Sequence, residues 1–279
     1  MALTNREISD LRTNAKIVRR LTIESIAHAG TGHAGSSLSM IEILVLFYFK
    51  HLAVDPKHPH WEDRDRFILS KGHGAPGLYA TLAHAGYFPT AEMATLRGLG
   101  SRLQGHPNAA ALPGIDASTG SLGQGLSVAA GLAHGLRIRG QRSRVVCLLG
   151  DGEMQEGQNW EAFMVANALR LGNLLAVVDR NGLQNDGPTE SIVPLESLVA
   201  KAEAFGWHGC EVDGHDFQAL NHAIEVAQSR QDRPSLIVAR TVKGKGVSFM
   251  EDQVKWHHHP LSPEEYRVAL SDIELAYGL

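Results

Sequence analysis

Three short apolar runs constrain the fold of this chain more than any other feature: Arg144 to Leu149 (RVVCLL), Leu174 to Val178 (LLAVV) and Ser235 to Ala239 (SLIVA). Each is a continuous hydrophobic stretch of strand length, the pattern of a parallel sheet covered on both faces. Helical segments separate them. One runs from Gly157 to Leu171 between the first two, and Leu195 to Phe205 and Asp216 to Ser229 lie between the second and third, with a further strand expected from Gly206 to Val212. Arg66 to Ser70 reads as another buried strand, and Gln124 to Arg139 as the helix that precedes the first run. Strand and helix alternating in this way predict an α/β fold, a doubly wound, mostly parallel sheet with helices on both faces and right-handed crossovers.

The flanks read as helical. Thr4 and Glu7 form a capping-box pattern, after which Ile8, Leu11, Ala15, Val18 and Leu21 share one helical face up to Gly30. A nearly wholly apolar second helix follows from Ser37 to Lys50, giving an N-terminal helical region over about residues 1–60. Ser262, Pro263 and Glu265 start a terminal helix over about residues 263–276. No repeat, low-complexity tract or linker interrupts the chain, so a single domain over 1–279 is expected.

Composition narrows the function class. A net charge of −4 without a basic block gives no footing for nucleic acid. The longest apolar run, Met40 to Phe49, is far short of the roughly eighteen residues of a membrane span, and the first residues, MALTNREISD, resemble no targeting leader, so a cytoplasmic protein with no membrane partner is expected. Two cysteines, Cys147 and Cys210, argue against a disulfide framework or a thiolate metal site.

Ligands of open α/β sheets bind outside the carboxyl ends of the strands. Here those ends carry Gly150-Asp151-Gly152-Glu153, then Asp179-Arg180-Asn181-Gly182-Leu183, then Thr241-Val-Lys243-Gly-Lys-Gly246. Asp151 and Asn181 offer hard oxygen ligands for Mg²⁺ or Ca²⁺, Gly150 and Gly152 admit close backbone approach to phosphate, and Lys243 adds a compact positive charge. Asp-Gly or Asn-Gly alone is read as a turn; both after adjacent strands point to a ligand. Gly120-Ser-Leu-Gly-Gln-Gly125 opens a helix and either aims backbone N–H groups at a phosphate or simply makes a tight turn, and its spacing fits neither a dinucleotide fingerprint nor a P-loop. His33, His73, His106 and His257 sit in glycine-rich or loop surroundings. Each alone is more readily structural; together they suggest a polar cleft that bonds a polyhydroxylated anionic substrate and moves its protons.

The pairing of GDG at 150–152 with Asn181 resembles the signature of thiamine diphosphate enzymes. AGTGHAGSSLS at 29–39, DRFILSKGHGAPGLYA at 65–80, QGHPN at 104–108, STGSLGQGLS at 118–127, GDGEMQEGQNWEA at 150–162 and RTVKGKGVSFME at 240–251 resemble the transketolases in order and spacing over nearly the whole chain.

That resemblance implies a thiamine diphosphate cofactor and a divalent metal, Mg²⁺ or alternatively Ca²⁺ or Mn²⁺, held by Asp151, Asn181 and the backbone carbonyl of Leu183. It implies that Gly152, Lys243 and His257 meet the cofactor's diphosphate, that His73 and Asn181 also bind the cofactor, that Gly120 and Leu122 lie near its rings, and that Glu156 takes part in contacts across a dimer interface that couple paired cofactor sites. His33, His73, His106 and His257 are implied as the proton-moving histidines, with Ser36 beside them and Lys71 as a neighbour; His33, Ser36, His106 and His257 would hold substrate hydroxyls. His257 is chosen by its distance from Lys243 and the preceding Trp256.

The resemblance also implies an enzyme that transfers a two-carbon ketol unit from a ketose phosphate to an aldose. The chain stops where the family's pyrimidine-binding domain begins, so the activating glutamate and the basic residues that grip the sugar phosphate are expected on a C-terminal partner subunit, in a heterotetramer. The resemblance implies a role either in the pentose phosphate pathway or in the catabolism of unusual sugars, including branched or sulfonated ones. The alternatives are a deoxyxylulose phosphate synthase-like or 2-oxo acid dehydrogenase α-like subunit, or a non-catalytic binding protein derived from one.

Overall fold

The computed structural model describes residues 1–276, so the last residues of the expected 1–279 domain lie outside it. Its centre is a five-stranded parallel sheet in the order β1-β2-β3-β7-β6. These strands are β1 (Arg66–Leu69), β2 (Val145–Gly150), β3 (Leu174–Arg180), β6 (His208–Asp213) and β7 (Ser235–Arg240). A second, two-stranded antiparallel sheet joins β4 (Leu183–Gln184) to β5 (Gly187–Pro188).

Period-two side-chain alternation divides the apolar strands between two helical layers. Ile68, Val145, Cys147, Leu149, Ala176, Val178 and Val238 face one core, which α5 (Gln124–Ile138), α6 (Gly157–Ala168) and α8 (Leu198–Ala204) cover. Phe67, Leu69, Val146, Leu148, Val177 and Ile237 face the other, with α1 (Asn5–Ala29), α3 (Ile41–Leu46), α4 (Ala75–Ala85), α9 (Phe217–Ser229) and α10 (Pro263–Ala276). Burial on both faces explains why β2, β3 and β7 read as unbroken apolar runs rather than alternating ones. The chain leaves β3 toward α8 on one face and leaves β7 toward α10 on the other. This divergence opens a crevice at the carboxyl ends of two adjacent strands, where sheets of this kind bind ligands.

Several boundaries differ from the sequence expectation. The helix expected over Ser37 to Lys50 is broken into α2 (Ala34–Leu38), α3 and a π-helical turn (Phe47–His51). The carbonyl of Ser36, which would accept the N–H of Met40 in a continuous helix, receives the Lys71 ammonium at 2.8 Å and the Ser39 hydroxyl at 3.3 Å. The helix expected over Gly157 to Leu171 stops at Ala168. That expected from Leu195 starts at Leu198, where the Ser197 hydroxyl accepts the N–H of Ala200 at 3.3 Å. The strand expected from Gly206 begins at His208, because Gly206 still belongs to the turn that closes α8. The β4–β5 hairpin and the short α7 (Thr189–Ile192) have no counterpart in the sequence reading. Both capping boxes form, and Leu11, Ala15 and Val18 of α1 are buried.

Candidate functional site

The carboxyl ends of β2, β3 and β7 converge on a cavity of about 260 Å³. Asp151, Gly152, Asn181, Leu183, Lys243 and His257 line one part of it, and Ser36, Lys71, His73, Leu122 and Glu156 another. Of the residues singled out from the sequence, His33, His106 and Gly120 stand outside this lining, one layer away.

Asp151 is buried and fully engaged. One carboxylate oxygen accepts the N–H of Gly152 at 2.8 Å; the other accepts the N–H of Gly182 at 2.6 Å and the Arg180 guanidinium at 3.1 Å. Burial and the neighbouring Asp179 push its carboxyl above the usual range, against the pull of those donors. The side-chain oxygen of Asn181 accepts the N–H of Leu183 at 3.2 Å, and the carbonyl of Leu183 receives the Lys243 ammonium at 3.3 Å. Hard oxygens thus cluster beside one carboxylate. Among the described residues no three His, Cys, Asp or Glu side chains group as a metal site. A divalent ion here would rely on one carboxylate, two neutral oxygens and ligand or water oxygens, a donor set that suits Mg²⁺.

Lys243 is completely buried, and its ammonium also faces Nδ1 of His257 at 2.9 Å. Burial, then the charge of Lys71, lowers its pKa to about 8, although Asp151 and Asp179 work the other way. A second buried cation, Lys71, pairs with Asp179 beneath the cavity. Burial alone would raise the Asp179 carboxyl; the Lys71 charge and hydrogen bond, with the hydroxyls of Ser39 and Thr241, outweigh it and hold it below the usual range.

Three histidine rings pack together above these lysines. His33 lies 5.2 Å from His73 and 5.4 Å from His257, and His73 lies 5.1 Å from His257, ring centre to ring centre. Burial lowers the pKa of His33 and of His257 to about 3; for His33 the neighbouring His257 adds to it, and for His257 the Lys243 charge does. His73 is pushed well below its ordinary value by burial, then by Lys71. At neutral pH all three are uncharged, each with one ring N–H and one lone pair. His106 is set near Gly120: a Cβ at Gly120 (φ +151) would sit 3.0 Å from the His106 ring, so glycine is required by both the backbone and the space.

Two residues that hold the site escaped the sequence reading. Glu153, 2% exposed, accepts the Ser70 hydroxyl at 2.5 Å and the N–H groups of Gly123 and Gly150 at 3.0 Å each, tying together the ends of β1 and β2 and the start of α5. Arg180 joins Asp151 to Thr189 at 2.5 Å and to Glu190 at 2.6 Å, anchoring α7 over the crevice. Only the adjacency of Glu153 to Asp151, and of Arg180 to Asn181, could have signalled them.

Comparison with known proteins fits this geometry. The family profile described as "Transketolase, thiamine diphosphate binding domain" matches residues 11–275. The 6-deoxy-6-sulfo-D-fructose transketolase subunit of Clostridium sp. (strain MSTE9) is 44% identical over 265 residues, covering 95% of this chain and 96% of its own. An apulose-4-phosphate transketolase subunit of Actinobacillus succinogenes is 39% identical over 271 residues, covering 97% and 98%. Among solved structures, the transketolase of Leishmania mexicana superposes with a TM-score of 0.89 at 31% identity, over 96% of this chain and 41% of that one. The Pichia stipitis transketolase in complex with sedoheptulose 7-phosphate gives 0.89 at 31%, over 97% and 41%. The chain therefore spans about two fifths of the length of these solved transketolases.

Proposed function

Because the chain belongs to the transketolase family, as a thiamine diphosphate-binding domain, we propose that it is the N-terminal subunit of a two-chain transketolase, which moves a two-carbon ketol unit from a ketose phosphate to an aldose or aldose phosphate. The observation that carries this reading is the meeting of Lys243 with the Leu183 carbonyl and His257 beside Asp151 and Asn181. The transketolase names of relatives up to 44% identical weigh against the deoxyxylulose phosphate synthase and 2-oxo acid dehydrogenase readings.

In this reading the whole 1–279 stretch acts as one cofactor-binding domain. Asp151, Asn181 and the Leu183 carbonyl hold the divalent metal, and Gly152, Lys243, His73 and His257 meet the diphosphate. Gly120 and Leu122 border the cofactor's rings, and Glu156, on the cavity rim, faces a paired site in the assembly. Bound thiamine diphosphate supplies an electron sink at the carbon where the two-carbon unit is held. This chain's residues hold the sugar and its protons. His257, with Nδ1 toward the Lys243 ammonium, carries its proton on Nε2 and offers it to a substrate oxygen. His33, His73 and His106, with pKa values depressed by burial, accept or donate at hydroxyls without becoming cations at neutral pH, and Ser36 adds a further polar contact.

The remaining half of the site comes from a pyrimidine-binding partner subunit, in a heterotetramer; the naming of the relatives as subunits supports a two-chain enzyme. The relatives' names also favour a sulfonated sugar or a sugar phosphate as substrate; a branched sugar and a place in the pentose phosphate pathway are further proposals of this reading. We place the protein in the cytoplasm; among the described residues no helix is long and apolar enough to cross a membrane.

The test is ketol transfer from xylulose 5-phosphate to ribose 5-phosphate with thiamine diphosphate and Mg²⁺, for this chain alone and mixed with its candidate partner. Turnover only in the mixture supports the shared site. Turnover by the chain alone overturns the two-chain reading, and silence in both directs the assay to sulfonated and branched sugars.

A further inference from the structure

Beyond the three packed histidines stands a cation, Arg97, with no role in the reading above. Arg97 stands in the left-handed backbone region at φ +59, which a residue with a Cβ rarely adopts, and its N–H donates to the Leu103 carbonyl at 2.8 Å. Its guanidinium donates to the Thr31 hydroxyl at 2.8 Å. The same Thr31 hydroxyl shares a hydrogen bond with Nε2 of His258 at 3.1 Å, and the His258 ring lies 4.6 Å from that of His33. On its other side the guanidinium lies against the residue before His106: a Cβ at Gly105 would come within 2.6 Å of Nη2. Arg97 therefore joins two walls of the cleft, the Thr31–His33 turn and the Gly105–His106 loop.

The contacts order the cleft from end to end. Lys243 meets His257, His257 packs on His33, His33 on His258, and His258 reaches Arg97 through Thr31. The diphosphate end is at Lys243, and Arg97 is at the far end. Among the described residues no carboxylate pairs with its half-buried guanidinium, whose partner is a hydroxyl. Its positive charge is felt in the cleft, where it adds to burial in lowering the pKa of His33 and His106. A guanidinium is a planar fork of donors matched to the oxygens of phosphate or sulfonate. One removed from bulk water and left without a carboxylate favours an anionic ligand.

We propose that Arg97, held by Thr31 and admitted by Gly105, is a specificity-determining residue that binds the oxyanion at the far end of a polyhydroxylated substrate. The inference rests on the transketolase reading, which supplies both the sugar as ligand and the diphosphate end at Lys243 from which the far end is reckoned. The partner subunit is expected to bring basic residues of its own; Arg97 is the cation this chain contributes.

The test reads binding rather than turnover, so that failure of the transferase reading shows separately as absent ketol transfer. This chain, mixed with its candidate partner, thiamine diphosphate and Mg²⁺, is titrated with ribose, ribose 5-phosphate and 5-deoxy-5-sulfo-ribose by ligand-observed NMR. Without a ketose donor these aldoses do not turn over. The charged sugars are expected to bind at least about tenfold more tightly than ribose, and Arg97→Gln to reduce that ratio by about tenfold, with Arg97→Lys restoring part of it. A preference for both charged sugars identifies a general oxyanion site; a preference for one names phosphate or sulfonate as its ligand. A merely structural arginine would weaken all three sugars alike. That result, a ratio unmoved by Arg97→Gln, or a wild-type protein that does not prefer the charged sugars, overturns the proposal.

Discussion

The ammonium of Lys243 lies 2.9 Å from Nδ1 of His257 and is completely buried. The pair sets a buried cation against a ring that cannot neutralise it, and burial lowers the Lys243 pKa to about 8. Such a lysine costs stability that the Leu183 carbonyl and the charges of Asp151 and Asp179 offset in part, and that a bound anionic ligand would offset further.

Replacing Lys243 by Met should therefore separate stability from binding. Lys243→Met removes a buried charge while filling similar volume, so the ligand-free chain is expected to unfold at an equal or higher denaturant concentration. Thiamine diphosphate affinity should fall about 10–100-fold, the loss of one charge-assisted contact to phosphate. Calorimetric titration beside urea unfolding reads both; unchanged affinity would remove Lys243 from the diphosphate site.

Arg180 should act on the metal through Asp151, whose carboxylate it holds at 3.1 Å. Arg180→Met leaves all the proposed ligand oxygens in place yet removes one of the three donors that orient the Asp151 carboxylate, and with it the α7 anchor. Mn²⁺ affinity in the presence of thiamine diphosphate, followed by electron paramagnetic resonance, is expected to weaken about tenfold. Asp151→Asn should weaken it further, because the carboxylate itself is lost. Equal Mn²⁺ binding by wild type and both variants would contradict the oxygen-donor assignment.

The centre of the sheet was legible because β2, β3 and β7 are buried on both faces and so read as apolar runs, each falling within one or two residues of the expected bounds. The convergence of Asp151, Asn181 and Lys243 followed from the rule that ligands gather at carboxyl ends. What escaped depends on long-range contacts. The break after α2 arises because Lys71 and Ser39 occupy the carbonyl of Ser36, and Lys71 lies 35 residues away in sequence. Glu153 looks like part of the GDGE turn, and its three donors come from β1, β2 and the α5 entry. Arg97 belongs to no motif, since its role exists only once Thr31 and Gly105 are brought to either side of it.

The buried ion pair of Lys71 and Asp179 predicts a non-additive mutant cycle. Their side chains are 1% and 0% exposed, so Lys71→Met strands a carboxylate in the core and should cost about 3–5 kcal/mol in urea unfolding. Adding Asp179→Asn removes that charge while keeping an acceptor oxygen for one of the two hydroxyls, Ser39 or Thr241, and an amide N–H for the other to accept, and is expected to recover at least about half of the loss. Additive losses would mean that the two charges do not depend on one another.

The depressed pKa of His33 fixes the sign of an acid effect. In the unfolded chain a histidine protonates near pH 6.5, whereas in the fold burial and His257 hold His33 to about 3. Between these values the unfolded state binds the extra proton, so stability is lost as pH falls from about 6.5 toward 3 and is unaffected above that window. His33→Gln keeps a polar side chain but cannot titrate. Urea unfolding at pH 7.0 and 5.0 should show a wild-type loss larger than the variant's by about 2 kcal/mol, the part of the shift expressed over that interval. The remaining acid sensitivity of the variant belongs to the other histidines whose pKa values burial depresses, His73, His257 and His106 in the cleft and His51, His84 and His208 elsewhere, so His33→Gln flattens the dependence without abolishing it. Identical pH dependence in both proteins would place the His33 ring in water rather than among its neighbours, and the packed histidine cleft would fail with it.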